Sequence, residues 1–203
     1  MIALINFLVS FFFSFIGTIP PGSLNLNILQ LGLENKINTA WRFALAAALM
    51  EYPYAWLAIK FERIITSSTL IVENIQLLTA IVMVLLGILN LRSVRKPSRF
   101  SEKFNNSGFR RGILLSLLNP LALPFWVGTT AYLNSQRWID LTSPLSLHAY
   151  LFGASLGALS LLILLAYLAN RIVSGFHHIS LLKKIPGVIL LALGLYAFIQ
   201  YLF

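Results

Sequence analysis

From Met1 to Leu33 the chain carries no charged side chain, yet the stretch Gly17-Thr18-Ile19-Pro20-Pro21-Gly22-Ser23-Leu24-Asn25-Leu26-Asn27 places a helix-stopping turn inside that run. A straight helix of this length would reach about 50 Å, against a bilayer hydrocarbon core of about 30 Å, so the run is too long for one simple crossing. Paired prolines remove backbone donors and push each preceding residue out of the helical region, which predicts a helix ending near Ile19 and restarting near Pro21 or Gly22. The restart has starting chemistry, because proline suits a first helical turn and Ser23 can accept a bond from an otherwise orphaned N–H. Interrupted backbone at membrane depth is tolerated only where protein or a water-filled cavity surrounds it. Pro20, Pro21, Gly22, Ser23, Asn25 and Asn27 are therefore read as the lining of a substrate cavity.

Composition sets the class. With 58% hydrophobic residues, 10% charged and a mean hydropathy of +0.83, a chain of 203 residues could hardly bury its apolar side chains in a soluble core. An integral membrane protein is expected, surrounded by lipid. The absence of cysteine excludes disulfides, thiolate metal sites and dithiol electron carriage. The formal charge of +9 does not point to nucleic acid, because the basic residues sit between apolar runs rather than along one face. Met1 opens the first span with no basic flank before it and no small-residue cleavage signal after it, so that span is read as a retained helix.

Six apolar segments meet the roughly 20-residue crossing criterion with slack for tilt. They are Met1 to Ile19 with its restarted piece to Leu33, then Phe43 to Ile59, Ile75 to Leu91, Gly112 to Leu133, Leu147 to Asn170 and Ile185 to Phe203. Trp41, Trp126, Tyr132, Trp138 and Tyr201 lie near span ends, where interfacial aromatics are expected. Of the 15 basic residues, 12 fall in the connections on one side, including Arg92, Arg95, Lys96, Arg99, Lys103, Arg110 and Arg111; only Lys60, Arg63 and Arg137 fall on the other. The positive-inside rule then makes loop 92–111 cytoplasmic and places both termini outside a bacterial inner membrane.

The chain also shows weak internal symmetry. About 100 residues after Pro20-Pro21, the fourth span carries Asn119-Pro120 and then Pro124, and Leu86-Gly87-Ile88-Leu89 resembles Leu193-Gly194-Leu195-Tyr196. Halves of three helices each must be oppositely oriented if they share a fold, which is the inverted-repeat plan of many secondary transporters. The predicted fold is an all-α membrane protein of six helices forming one domain, 1–203. Its repeat halves, about 1–91 and 109–203, are joined by the basic loop 92–108, and the first and fourth helices are broken by proline.

Ile19-Pro20-Pro21-Gly22, together with Phe109-Arg110-Arg111-Gly112-Ile113-Leu114-Leu115-Ser116-Leu117-Leu118-Asn119-Pro120, resembles the LysE-type translocators, the lysine and homoserine/threonine exporter family. The resemblance implies a six-helix inner-membrane carrier that exports amino acids and is coupled to protons. It also meets departures. Ser23 stands where the family usually has proline, Leu121 where it often has lysine, and Phe43 to Leu49 is alanine-rich where the family's second helix is glycine-rich.

Glu51 carries the most chemical information, since it sits at the centre of Phe43 to Ile59 while Glu34, Glu62, Glu73, Glu102 and Asp140 are assigned to connections or span ends. A mid-membrane acid costs about 2.5 to 3.5 kcal/mol on insertion scales, so it is neutral, paired or kept for function. Tyr52 and Pro53 beside it offer a hydroxyl and a freed carbonyl. Glu51 is read as proton carrier or ammonium-binding group, the alternative being a structural acid paired with Arg or Asn. The N–H groups after the break, with Ser23, Asn25 and Asn27, would hold a carboxylate; helix-helix hydrogen bonding is the alternative for these amides. Asn119 with Pro120 is the symmetry counterpart, by substrate contact or by capping. His148 and His177-His178 are read as interfacial or solvated, and Gly153 with Gly157 as a close helix contact.

The expected function is proton-coupled export of an amino acid or similar small zwitterion, with no cofactor, no metal and no enzymatic reaction. A homo-oligomer is compatible with the sequence. A divalent-metal or other small-ion exporter would need several intramembrane acids or histidines. A hydrolase lacks paired aspartates, a His-Glu-x-x-His helix or a serine-histidine pairing. A non-transporting scaffold would show no substrate-dependent stabilisation.

Overall fold

The computed structural model describes residues 1–20, 22–67, 107–119 and 121–175, with single helical positions between 77 and 91 and between 188 and 199. Among these residues every regular element is a helix: α1 (Ile2–Gly17), α2 (Ser23–Leu33), α3 (Ile37–Ser67), α4 (Gly108–Leu117), α5 (Ala122–Ser135) and α6 (Pro144–Gly175). Pro21, Pro120, His177-His178, loop residues 92–106 and most of the third and sixth predicted spans lie outside the described residues.

Helix α1 is inverted relative to a soluble amphipathic helix. Its buried side chains are Asn6, Ser10 and Ser14, one per turn, while Leu4, Leu8, Phe12 and Ile16 are exposed. Such an arrangement suits lipid outside and hydrogen bonds inside. The polar stripe packs on α6, the most extensive helix contact among the described residues. Asn6 Nδ2 donates to the Asp140 and Ser146 carbonyls at 2.7 and 3.3 Å, and Ser14 Oγ donates to Ala154 O at 2.6 Å. Gly153 and Gly157 let the backbones approach, since a Cβ on either would strike the α1 main chain. This is the close contact expected of the pair.

Helix α2 continues along the other half of α6, where Gly32 meets Ala166 and Ala169. The 32 residues of α6 thus back both α1 and α2. Its stretch Pro144–Arg171, which holds an 18-residue window of mean hydropathy 2.2, is long and apolar enough to cross a bilayer. Helices α4 and α5 pass the same test together as a pair bent by 65°.

The interruptions differ in detail from expectation. Helix α1 stops at Gly17, where Thr18 Oγ1 donates to Ser14 O at 2.8 Å, and α2 starts at Ser23 with Gly22 as its N-cap. No side chain caps that end, so Ser23 is the first helical residue and not the cap. Helix α3 runs 31 residues rather than 43–59, so Lys60, Glu62 and Arg63 extend a helix instead of forming a connection. Pro53 lies inside it without ending it. Gly194 is in close contact with Ala80 and Val84, which brings the two sparsely described segments together at one point.

Candidate substrate site at the helix breaks

Helix α3 presents Glu51, Ala55, Ala58 and Glu62 at spacings of four, three and four residues, which puts them on one face. Opposite, α5 presents Trp126, Thr130 and Asn134, again one per turn. Trp126 Nε1 donates to Glu51 Oε2 at 2.6 Å, and Asn134 Nδ2 donates to Glu62 Oε1 at 3.3 Å. Small alanines between the two acids let the helices approach. Trp126, expected at the interface, is instead fully buried, with its ring edge-on to Tyr150 at 5.9 Å. Tyr150 OH in turn shares a 3.0 Å hydrogen bond with Thr130 Oγ1.

The second interruption lies beside Glu51, and the first is linked to it only through two aromatic rings. Tyr54, one turn along from it, donates to the carbonyls of Ser116 and Leu117 at 3.1 and 3.2 Å. These are last-turn carbonyls of α4, and Ser116 O also accepts from Asn119 N at 2.9 Å. Trp126 lies in the second turn beyond the same break. The first break is reached through Phe125, whose ring is 5.2 Å from that of Trp126 and sits where a Cβ on Gly17 would be. Gly17 is the last residue of α1, so glycine is what permits this approach.

The other predicted residues have definite partners. Asn25 is buried, and its Nδ2 faces the carbonyls of Thr18, Ile19 and Pro20 at 2.5, 3.4 and 3.1 Å. It closes the open end of α1, so its amide donor is directed at the break itself. Asn27 Nδ2 donates to Ser23 O at 2.7 Å, and its Oδ1 accepts from Arg111 Nη2, which ties α2 to α4. Asn119 Oδ1 accepts from Leu121 N at 3.2 Å, a local cap across the second break. Ser23 and Pro20 are exposed, and Gly22 is partly covered. Tyr52 OH meets His148 Nδ1 at 2.5 Å, so His148 has a specific partner as well as an exposed position.

Sequence reasoning passed over Trp126, Tyr54, Thr130, Asn134 and Glu62. The signal was present in the four-residue spacing of Trp126, Thr130 and Asn134 through an apolar helix. Glu62 escapes the sequence reading because the predicted span stops at Ile59, eight residues before α3 ends at Ser67. Among the described residues no three His, Cys, Asp or Glu side chains come together as a metal site. Outside the spans, Thr142 holds the Asp140 carboxyl below the usual range, by its hydroxyl first and its N–H second. Lys36, and then Gln30, do the same for Glu34.

Helices that turn apolar faces outward and gather polar side chains where they are interrupted are the features that a membrane transporter shares and a soluble bundle lacks. The chain belongs to the LysE type translocator family, whose family model matches residues 15–201. It is accordingly an integral membrane protein of a transporter family that moves small molecules. No curated protein and no solved structure shows significant similarity to it.

Proposed function

We propose that the chain is a secondary transporter that exports amino acids or similar small zwitterions across the bacterial inner membrane in exchange for protons. The observation that carries this reading is Glu51, mid-way along α3, hydrogen-bonded to Trp126 and one turn from the tyrosine that closes the α4 break. In this scheme the substrate ammonium faces Glu51, which also carries the proton. Because Asn25 and Asn27 are engaged with carbonyls, and the Leu121 N–H after Asn119-Pro120 with the Asn119 side chain, the carboxylate end is assigned to the N–H groups at the start of α2, beside Pro20, Pro21, Gly22 and Ser23.

Two apolar clusters flank Glu51 along α3. One holds Phe43, Ala44 and Ala47 with α2 and the end of α6; the other holds Ala55, Ala58 and Ile59 with α5 and the start of α6. A polar group between two dry plugs suits alternating access, in which each plug opens in turn. Helix directions support six crossings in two inverted halves of one domain. Residues 51 and 62 of α3 meet 126 and 134 of α5 in the same order, so these helices run parallel, as second and fourth crossings must. Asn6 and Ser14 of α1 meet 146 and 154 of α6 likewise, as first and fifth crossings must. With the basic loop cytoplasmic, both termini lie outside.

The test is efflux of labelled amino acids from loaded proteoliposomes under an imposed pH gradient. Wild-type protein accelerates efflux of at least one amino acid, more strongly with the gradient. Glu51→Gln abolishes the gradient dependence. Wild-type-like, pH-sensitive efflux by Glu51→Gln would sink the mechanism.

A further inference from the structure

At the C-terminal ends of α3 and α5, away from the breaks, lies a cavity of about 460 Å³ bordered by Glu62, Thr130, Asn134, Arg137, Asp140 and Thr142. That volume is within the range of small-molecule pockets, about 300–1,000 Å³. We infer that this cavity is a second binding site for a small zwitterion, in which Arg137 takes the carboxylate and Glu62 takes the ammonium. The inference rests on the proposed zwitterion substrate but not on the role given to Glu51.

The cavity wall carries two acids, Glu62 on α3 and Asp140 on the α5–α6 connection, and one cation, Arg137. Glu62 is only 7% exposed, yet its carboxylate borders the cavity and is oriented by the Asn134 amide. Asp140 stands on the opposite connection, its Oδ1 fixed by Thr142 Oγ1 at 2.6 Å and Thr142 N at 3.0 Å. Arg137 is the cationic group in the wall, and its backbone is unusual. It sits at φ 57°, the left-handed position that ends α5, with Trp138 N bonded to Leu133 O and Arg137 N to Asn134 O. Glycine is the ordinary residue at that place in this type of helix ending. A long cation held in a backbone conformation that disfavours it, at the mouth of a cavity walled by a buried acid, indicates a use for the guanidinium. A guanidinium pairs a carboxylate with two parallel bonds, and a carboxylate accepts the donors of an ammonium.

The site also lies where a released substrate would pass. Glu62 is on the same face of α3 as Glu51, eleven residues further along, or about 16 Å. Between them run Thr130 and its hydrogen-bonded Tyr150. In the proposed orientation this end faces outside, so the ammonium would move from one carboxylate to the next on leaving.

The experiment is equilibrium dialysis of radiolabelled glycine, L-leucine, L-lysine and L-glutamate against full-length detergent-purified protein carrying Glu51→Gln, so that binding at the breaks does not mask the cavity. At least one of the four remains bound, and adding Arg137→Gln weakens it about tenfold or more, as loss of a charged hydrogen bond would. Butylamine and butyrate, each with one of the two charges, fail to displace it. Arg137 is exposed, so the variant folds; Glu62→Gln gives an independent second reading. Unchanged affinity in both variants overturns the second site. So does retention of binding by wild type alone, an outcome that leaves the Glu51 site standing. If none of the four binds even to wild type, the second site falls together with the zwitterion reading.

Discussion

The indole N–H of Trp126 reaches the Glu51 carboxylate at 2.6 Å, joining the acid of α3 to the segment that follows the α4–α5 break. Trp126 is fully buried, and its ring contacts Phe125 and Tyr150 edge-on, so the donor is held rigidly. A bend at this break therefore cannot move α5 without moving the partner of Glu51.

Replacing Trp126 by Phe keeps an aromatic ring in that place and removes the donor. A hydrogen bond to a charged group is worth about 1.5–3 kcal/mol, and each 1.4 kcal/mol is about tenfold in an equilibrium constant. Trp126→Phe is expected to weaken substrate-dependent efflux from proteoliposomes at least tenfold, with membrane abundance close to wild type. Undiminished efflux would show that the contact serves packing alone.

Asn25 separates two readings of the first break. Its amide faces three carbonyls that α1 leaves open, at Thr18, Ile19 and Pro20. Asn25→Ala leaves these partly covered carbonyls without that donor, a loss of about 0.5–1.5 kcal/mol. Thermal unfolding in detergent should report it as a clear drop in midpoint, with efflux falling in parallel. A variant of unchanged stability that no longer binds substrate would instead make Asn25 a direct ligand.

Much of this architecture is readable in the residues, and the failures have physical causes. Helix α1 ends at Gly17 and α4 at Leu117, each within three residues of the Pro-Pro-Gly or Asn-Pro stretch that the sequence marks. The Gly153–Gly157 contact follows from small side chains one turn apart. Glu51 stands out because a carboxylate in an apolar run is costly. Glu62 did not, because charges at 60, 62 and 63 look like a span end, whereas α3 simply continues beyond the hydrophobic stretch. Trp126 is expected at the interface because tryptophan prefers that depth on average; a buried acid needing a donor overrides the preference. Which amides face substrate and which face their own backbone depends on rotamers and bend angles, and spacing alone does not encode these. Asn25 and Asn27 are the examples.

The α1–α6 contact predicts a sharp positional effect. A Cβ on Gly157 would meet the Phe11 carbonyl and Ser14, whereas one on Gly128 would meet nothing within 4 Å. Overpacking a tight interface costs about 1–3 kcal/mol. Gly157→Val should lower the unfolding midpoint and reduce membrane abundance, while Gly128→Ala leaves both within error. If the two variants behave alike, the helices do not approach as described.

Asp140 provides a pH signature outside the spans. Its carboxyl is held below the ordinary value by the Thr142 hydroxyl, then by the Thr142 N–H, while burial acts weakly the other way. The folded state thus binds the Asp140 proton less readily than the unfolded chain does. The stabilisation is complete above the unfolded value of about 3.9 and is lost as pH falls from there through the lower folded value. The same connection receives Asn6 from α1, since the Asp140 carbonyl accepts from Asn6 Nδ2 at 2.7 Å, so loosening it also loosens the start of the α1–α6 contact. Glu34, held low by Lys36 at 2.8 Å, titrates in a similar window but is common to both proteins in the comparison. Unfolding midpoints measured from pH 6 to pH 3 should therefore fall more steeply below about pH 4 for wild type than for Asp140→Asn, and the two curves should run parallel above it. Parallel curves throughout would mean that the Thr142 contacts do not persist in solution.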